Sequence, residues 1–306
     1  MQRSPISSHM DMGLCIHIAR MACVKEVTHP MILIAGRQVN PSALVTEWGL
    51  NAVQRETVRI MAASQEVFEY PSAELLQFEL KMRDHLVRSA LALNSSGLAF
   101  STFENSRCNE RYWNRTELGG FRLRQGVPPS QGIINIFQEG RKYATECATA
   151  MVIILYHAVL QSIRLPDFER MFADILLYDW RYDQDLDLQT NRTNTFLPGD
   201  ILYFANPDYN PETPQWQGEN VVDLGRGLYY GHGAGIRTAD SLINFLNEER
   251  RMGAMRSAYL VHQATRPGFA YLYPYNNSRP GVGIAQQSMH SGGPITVQIG
   301  SRSWEW

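Results

Sequence analysis

The stretch from Cys147 to Leu160 constrains the fold more than any other. Met151 to Tyr156 is apolar without a break, and Ala158, Val159 and Leu160 extend the run. A helix this apolar has no solvated face and belongs inside a core. Thr149 and His157 interrupt it, and it is too short to span a bilayer. The rest of the chain must cover it. A chain of 306 residues, 44% hydrophobic, has the material for one large domain or two small ones.

At the head of the run stands Glu146-Cys147-Ala148-Thr149-Ala150. A cysteine near a helix N-terminus sits where the helix dipole favours negative charge, which predicts a lowered thiol pKa and a nucleophilic thiolate. Against this, a free cysteine is more often a small buried hydrophobe. Glu146 reads either as a base beside the thiol or as a carboxylate of the first helical turn.

Charge and cysteine usage exclude several classes. The net charge is −2, from 28 basic and 30 acidic residues, so no global field draws the chain to nucleic acid or to an anionic membrane. Cys15, Cys23, Cys108 and Cys147 form no Cys-x-x-Cys pair and no zinc spacing. That predicts no metal site and no disulfide framework, and a reducing compartment. No calcium loop, phosphate-cradling glycine loop or internal repeat is present, and no cofactor is expected. The first 30 residues lack the layout of a signal peptide, which points to cytoplasmic synthesis.

Residues 1–30 show no periodicity and are expected to lie outside the core. Met31 to Ile34 opens it as a short strand. Ser72 is the expected N-cap of a helix whose stripe is Leu75, Phe78, Met82, Leu86, Ala90 and Leu93, spaced by three and four. Beyond the Cys147 helix come strands at residues 175–178, 201–204, 219–222, 228–232 and 257–261, with a helix at 238–255 between the last two. From Arg266 the composition turns to Pro, Gly, Ser and Asn, so residues 270–306 are expected to be a poorly packed tail and residues 31–269 a single domain. Helices and strands mix without regular alternation. The fold class is α+β, with the Cys-bearing helix buried against an antiparallel sheet.

The hairpin from Glu219 to His232 adds chemistry. A two-residue loop at Gly225-Arg226, as a type II′ turn, pairs Asn220 with Gly231 and Glu219 with His232. A carboxylate and an imidazole then share one face. A longer loop shifts the register and separates them. Gly231 and Gly233 flank His232 and leave room for a substrate. Thiol, imidazole and carboxylate are the parts of an activated cysteine nucleophile.

From Met31 to about Phe269 the chain resembles the spore-coat transglutaminases of bacilli. The resemblance is carried by Phe78-Glu79-Leu80-Lys81, Glu146-Cys147-Ala148-Thr149-Ala150, Ile175 to Trp180, Gly199-Asp200 with Leu202-Tyr203-Phe204, Gln215-Trp216 with Gly218-Glu219-Asn220, His232-Gly233, Ser257-Ala258-Tyr259-Leu260 and Gln263-Ala264-Thr265-Arg266. It implies a papain-like cysteine-hydrolase core, with Cys147 as nucleophile, Glu219 and His232 as its catalytic partners, and Glu146 as a reserve base. It implies a calcium-independent monomer that joins glutamine to lysine on spore-coat proteins. An aromatic tunnel that keeps water from the thioester is expected, with Phe100, Trp180, Tyr203 and Trp216 as its walls. A cysteine peptidase or amidase on the same scaffold is the alternative.

Overall fold

The computed structural model describes residues 32–278 and the backbone of a hairpin at residues 296–299 and 302–305. The expected extension at residues 1–30 lies outside the described residues. Strands β1 (Ile32–Ile34), β2 (Arg37–Gln38) and β3 (Phe68–Tyr70) form a small sheet with β1 in the middle. Between β2 and β3 lie α1 (Pro41–Glu47) and α2 (Ala52–Ala63). Asn51 starts α2 with a capping box: its side chain accepts from Gln54 N, and Gln54 accepts from Asn51 N, so two orphan amides are satisfied. Helix α3 (Ala73–Ser95) follows, and Ser72 Oγ accepts from Leu75 N at 3.3 Å. Its buried stripe of Phe78, Met82, Leu86 and Ala90 faces the main core. Leu76 and Leu80, on another side, pack with Ile32 and Val58 in a second, smaller core.

Next come β4 (Ala99–Phe100), β5 (Trp113–Arg115), β6 (Phe121–Leu123), α4 (Pro129–Gln138) and β7 (Ala144–Thr145). Strands β4 and β7 pair in parallel, with Phe100 opposite Thr145, which fixes the two residues before Glu146. Helix α5 (Cys147–Ser162) is the apolar run, and Ala148 through Tyr156 are all buried. Each large aliphatic side chain buried there contributes roughly 1.5–3 kcal/mol. Helix α6 (Leu165–Met171) and strand β8 (Leu176–Leu177) follow, with β8 on the edge of the β5-β6 pair.

The polar interruptions of the α3–α5 interface are satisfied. His157 Nδ1 bonds Ser89 Oγ at 2.8 Å and its ring stacks on Phe137, while His85 Nδ1 bonds Ser162 Oγ at 2.9 Å. Burial lowers the pKa of each histidine to about 4; Lys81 adds to the effect at His85 and His85 adds to it at His157. Unfolded histidines titrate near 6.5. Between about pH 6.5 and 4 the unfolded chain therefore binds more protons, and stability is lost as pH falls through that window. Thermal melts across pH 4–7 are expected to show this drop, and a His157→Gln variant is expected to flatten part of it.

The large sheet is built from β9 (Gln189–Arg192), β10 (Ile201–Ala205), β11 (Gly218–Gly225), β12 (Leu228–Gly231) and β13 (Gly235–Thr238), then, after α7 (Ala239–Glu248), β14 (Tyr259–Leu260) and β15 (Gln263–Arg266). Its order is β13-β12-β11-β10-β15-β9, with β14 also on β10, and every pairing is antiparallel. Alternation gives both faces an apolar set. Ile201, Val222 and Tyr230 join the core of α5, whereas Leu202, Phe204 and Val221 pack with Leu242 and Leu246 of α7. The expected α+β architecture, a Cys-bearing helix buried against an antiparallel sheet, is present. Helix α7 stops at Glu248, short of the expected Met255. Beyond it Asp208 accepts from Met255 N and Arg256 N and pairs with the Arg256 guanidinium.

The packed chain does not end at residue 269. Helix α8 (Phe269–Leu272) buries Leu272 completely, and the Tyr273 ring lies 5.8 Å from that of Phe78. Asn277 Nδ2 donates to Gln161 O at 2.9 Å. Aromatic anchors hold a segment whose Pro and Asn content reads as tail. Residues 279–295 lie outside the described residues.

A buried ionic network ties these layers together. Arg83, fully buried on α3, donates to Glu79 Oε1 at 2.8 Å, Asp200 Oδ1 at 2.7 Å and Pro198 O at 3.1 Å. Arg266 on β15 grips both oxygens of Asp200 at 2.7 Å, Leu197 N donates to Asp200, and Tyr70 of β3 donates to Glu79.

Candidate active site

Glu146 is the N-cap of α5. Its carboxylate accepts from Ala148 N and, at 2.6 Å, from Thr149 N. The capping reading therefore describes its geometry: both oxygens are engaged by the helix that Cys147 begins. Glu146 and Cys147, both partly exposed, line a cavity of about 230 Å³ together with Phe100, Trp180, Tyr203 and Asn220. Three of the four expected wall aromatics are thus around the thiol. Trp216 is not among the lining residues. A 3-10 turn at Pro214–Trp216 sends its ring onto Phe100 at 5.1 Å and edge-on to Phe245, while its neighbours Gln215 and Gln217 line the cavity.

The hairpin register differs by one residue from the expected one. Val221 faces Gly231, Val222 faces Tyr230, Asp223 faces Tyr229, and a bulge then sets Gly225 opposite Leu228. The two turn residues are Arg226 and Gly227, both left-handed at φ +56° and +74°, the type I′ pattern rather than II′. Gly225, expected in the turn, instead serves the bulge, where Gly225 N donates to Asp223 Oδ1 at 2.7 Å. Glu219 and His232 are consequently not a cross-strand pair.

Each has other partners. His232 Nε2 lies 3.2 Å from Ala99 O, and its Nδ1 lies 3.2 Å from the Tyr230 hydroxyl. A carbonyl can only accept, so Nε2 carries the proton and Nδ1 accepts from Tyr230. Burial holds the ring neutral, its pKa lowered to about 4 against the opposing bonds to the Ala99 and Thr145 carbonyls. The imidazole thus joins the end of β12 to the β4–β7 pair that leads into Cys147. Glu219 Oε1 accepts from Gly233 N at 3.1 Å, and its Oε2 has no hydrogen-bond partner although the residue is fully buried. A Cβ on Gly231 would come within 2.5 Å of Glu219 Oε1, and one on Gly233 within 2.7 Å of the Trp216 ring. The flanking glycines therefore make room for a carboxylate and an indole of the protein itself.

Electrostatics reverse the expected thiol shift. Burial raises the Cys147 thiol well above its usual range, and the Glu219 and then the Glu146 charges push it further; donors of Asn220 pull it back. The dipole at a helix N-terminus is worth about 0.3–2 kcal/mol, too little to offset burial beside two carboxylates. Glu219 is itself raised to about 8, by burial and also by Glu146, against bonds from Gly233 and Ala234 amides. The resting site is a neutral thiol beside a carboxyl that titrates close to physiological pH.

Asn220 was missed in the sequence. Its Nδ2 donates to Cys147 Sγ at 3.7 Å, and its Oδ1 is buried without a partner. Strand alternation was the available signal. Glu219 pairs with Phe204, whereas Asn220 pairs with Tyr203, so the asparagine and the lining tyrosine share a face.

The family model described as protein-glutamine gamma-glutamyltransferase matches residues 31–276. A protein-glutamine gamma-glutamyltransferase of Bacillus cereus is 43% identical over 248 residues, 81% of this chain and 90% of the relative. One of Bacillus anthracis is 44% identical over 236 residues, 77% of this chain and 86% of the relative. The solved transglutaminase from Geobacillus stearothermophilus, without its C-terminal extension, is 50% identical with a TM-score of 0.66, covering 68% of this chain and 99% of its own. Among the described residues, no helix is long and apolar enough to cross a membrane. With the match running through the β4–β7 lead-in, the Cys147 helix and the strand that carries Glu219 and Asn220, the chain belongs to the protein-glutamine gamma-glutamyltransferase family of acyltransferases.

Proposed function

We propose that this chain forms isopeptide bonds between protein glutamine and lysine side chains through a thioester on Cys147, with Glu219 as the base. The observation that carries the reading is the buried Glu219 carboxyl: one oxygen is unpartnered, its pKa is near 8, and after burial its charge acts on the Cys147 thiol more than that of Glu146. A base with its pKa near the working pH moves protons in both directions. Ionised Glu219 takes the Sγ proton as sulfur bonds the γ-carboxamide carbon of a glutamine. That proton passes to the departing nitrogen, and ammonia leaves. Glu219 then deprotonates a lysine ε-ammonium, the amine attacks the thioester carbon, and sulfur leaves and regains a proton.

His232 is a positioning residue in this reading, since both ring nitrogens are engaged. Glu146 serves first as the cap that starts α5 at Cys147 and stands as reserve base. Asn220 Nδ2 favours the thiolate. Phe100, Trp180 and Tyr203 give the cavity walls that suit the apolar stem of lysine and keep water from the thioester. Trp216 supports the wall through its stack on Phe100. Trp180 also lines a second cavity of about 290 Å³ with Tyr182 and Asp183, which suits a reaction that must admit two substrates. A cysteine at the head of a buried helix, packed on an antiparallel sheet that holds its base, supports a papain-like core. The catalytic domain in this reading spans residues 31 to about 276 and acts as a monomer, independent of calcium. Its substrates are spore-coat proteins, met after synthesis in the cytoplasm of the mother cell.

Incubation with casein and a fluorescent primary amine, with EDTA present, tests the reaction. Covalent labelling that survives reductant and denaturant is expected. Cleaved peptide bonds without label would instead identify a peptidase.

A further inference from the structure

A thioester is opened by a free primary amine, and this chain carries few of them. It holds three lysines, Lys25, Lys81 and Lys142, against twenty-five arginines, although lysine is ordinarily among the commonest residues. A guanidinium carries the same charge but stays protonated, so it has no lone pair to offer an acyl group. Arginine supplies the cation in ion pairs across the fold, Arg59–Glu56, Arg83–Asp200, Arg122–Asp174 and Arg256–Asp208 among them. The charge chemistry of a soluble surface is retained and its aminolysis chemistry is largely removed.

The two lysines within the described residues are engaged. Lys142 Nζ donates to Glu139 Oε1 at 2.6 Å. Lys81 Nζ donates to Asn277 Oδ1 at 2.7 Å and Ser278 Oγ at 3.1 Å, so its stem lies along its own surface. Burial lowers the Lys81 ammonium, which favours the free amine. Entering a narrow cavity on another molecule nonetheless requires the stem to swing out and both bonds to break. Lys25 lies outside the described residues. Glutamine shows no such scarcity: Gln65, Gln77, Gln125, Gln131 and Gln184 are all exposed.

Resting on the transamidase reading, we propose that this chain is a one-sided substrate of its own reaction, a glutamine donor that is nearly blind as an amine acceptor. When one of its glutamines is used, the γ-carboxamide carbon bonds Sγ and ammonia leaves. The new carbon–nitrogen bond is then made by the amine of a different protein as sulfur departs. Copies of the enzyme are not joined to one another, so the Cys147 cavity stays open in a mixture rich in lysine-bearing protein.

The test uses two fluorescent probes, a primary amine and a glutamine-bearing peptide, with the full chain and casein in one tube. Casein is expected to take both labels. The wild-type chain is expected to take the amine but at least about tenfold less of the peptide than casein, because arginine cannot accept it. Alone, it is expected to form no reductant-resistant oligomers. Arg37 and Arg192 are exposed on β2 and β9, and Arg37→Lys with Arg192→Lys is expected to gain peptide label. A wild-type chain labelled by the peptide as fast as casein, or oligomerising alone, overturns the proposal. So does a lysine variant that stays dark while casein is labelled. Casein that takes neither probe overturns the transamidase reading itself.

Discussion

Cys147→Ala is expected to abolish amine incorporation, by at least ~10⁴-fold, since no other cysteine among the described residues lines the cavity to take the acyl group. The fold should survive, because residue 147 is only partly buried and the helix is capped by Glu146 rather than by Cys147 itself; an unchanged melting temperature checks this. Glu219→Gln is expected to cost roughly 10²–10⁴-fold, the usual worth of a positioned base. The pH profile separates a base from a structural residue. The ionised form of a carboxyl titrating near 8 grows as pH rises, so the wild-type rate should climb through about pH 8. Alkylation of Cys147 by iodoacetamide should climb only at higher pH, since burial and the neighbouring carboxylates hold the thiol well above its usual range. In Glu219→Gln the rate limb should vanish, while alkylation should shift to lower pH, because the carboxylate charge that raises the thiol is gone. An acid limb near 6.5, lost in a His232 variant and kept in Glu219→Gln, would show that the imidazole is the base and overturn the assignment.

The difference between these outcomes turns on one residue of register, and sequence alone could not supply it. The alternation of apolar residues on either side of Gly225 fits a loop at Gly225-Arg226 or at Arg226-Gly227. The Asp223 side chain, which accepts from Gly225 N, stabilises the bulge that decides the matter. Side-chain bonds of this kind leave no periodic trace. The same holds for the thiol. Helix position was legible from the apolar run, and the dipole argument follows from it. The opposing effect comes first from burial and then from the charge of Glu219, 72 positions away in sequence, and neither is visible before the chain is folded. By contrast, the buried helix, the Ser72 cap, the α3 stripe and the α+β class all rest on local patterns repeated over several turns, and these were readable.

The aromatic wall was half readable for a similar reason. A bulky ring beside a polar loop can face a cavity or a core. Trp180 and Trp216 look alike in sequence, yet Trp180 lines the cavity and Trp216 packs on Phe245. What separates them is the direction set by a single turn of 3-10 helix at residues 214–216. Tyr203 and Asn220 could be assigned to one face by strand parity once β10 and β11 were paired.

Asp200→Ala is expected to be the most damaging change away from the cavity. The motif residues Glu79, Asp200 and Arg266 spend their hydrogen bonds on Arg83, on each other and on Tyr70, Leu197 and Thr195. Glu79 and Asp200 meet at Arg83, whose guanidinium is completely buried, and Arg266 joins through Asp200. Burial disfavours the Arg83 charge, and the carboxylates of Asp200 and Glu79 outweigh it. For Asp200, burial pushes the carboxyl up, and Arg266 and Arg83 more than reverse this. Removing Asp200 leaves a buried guanidinium with one carboxylate, frees Arg266 and orphans the Leu197 amide. Leaving a buried charge uncompensated costs about 3–5 kcal/mol, a large part of the ~5–15 kcal/mol that holds a domain together. For a domain of this size that corresponds to a fall in melting temperature of roughly 10 °C or more. Arg83→Met is expected to cost less, because Asp200 keeps its two bonds from Arg266 and Glu79 keeps Tyr70. The ordering, Asp200→Ala below Arg83→Met in melting temperature, is the part that discriminates. The reverse order would mean that the desolvated guanidinium, rather than the carboxylate it surrounds, organises the junction of α3, β10 and β15. In both variants whatever protein remains folded should keep the wild-type pH profile of amine incorporation, since the network holds the sheet in place and touches neither Cys147 nor Glu219.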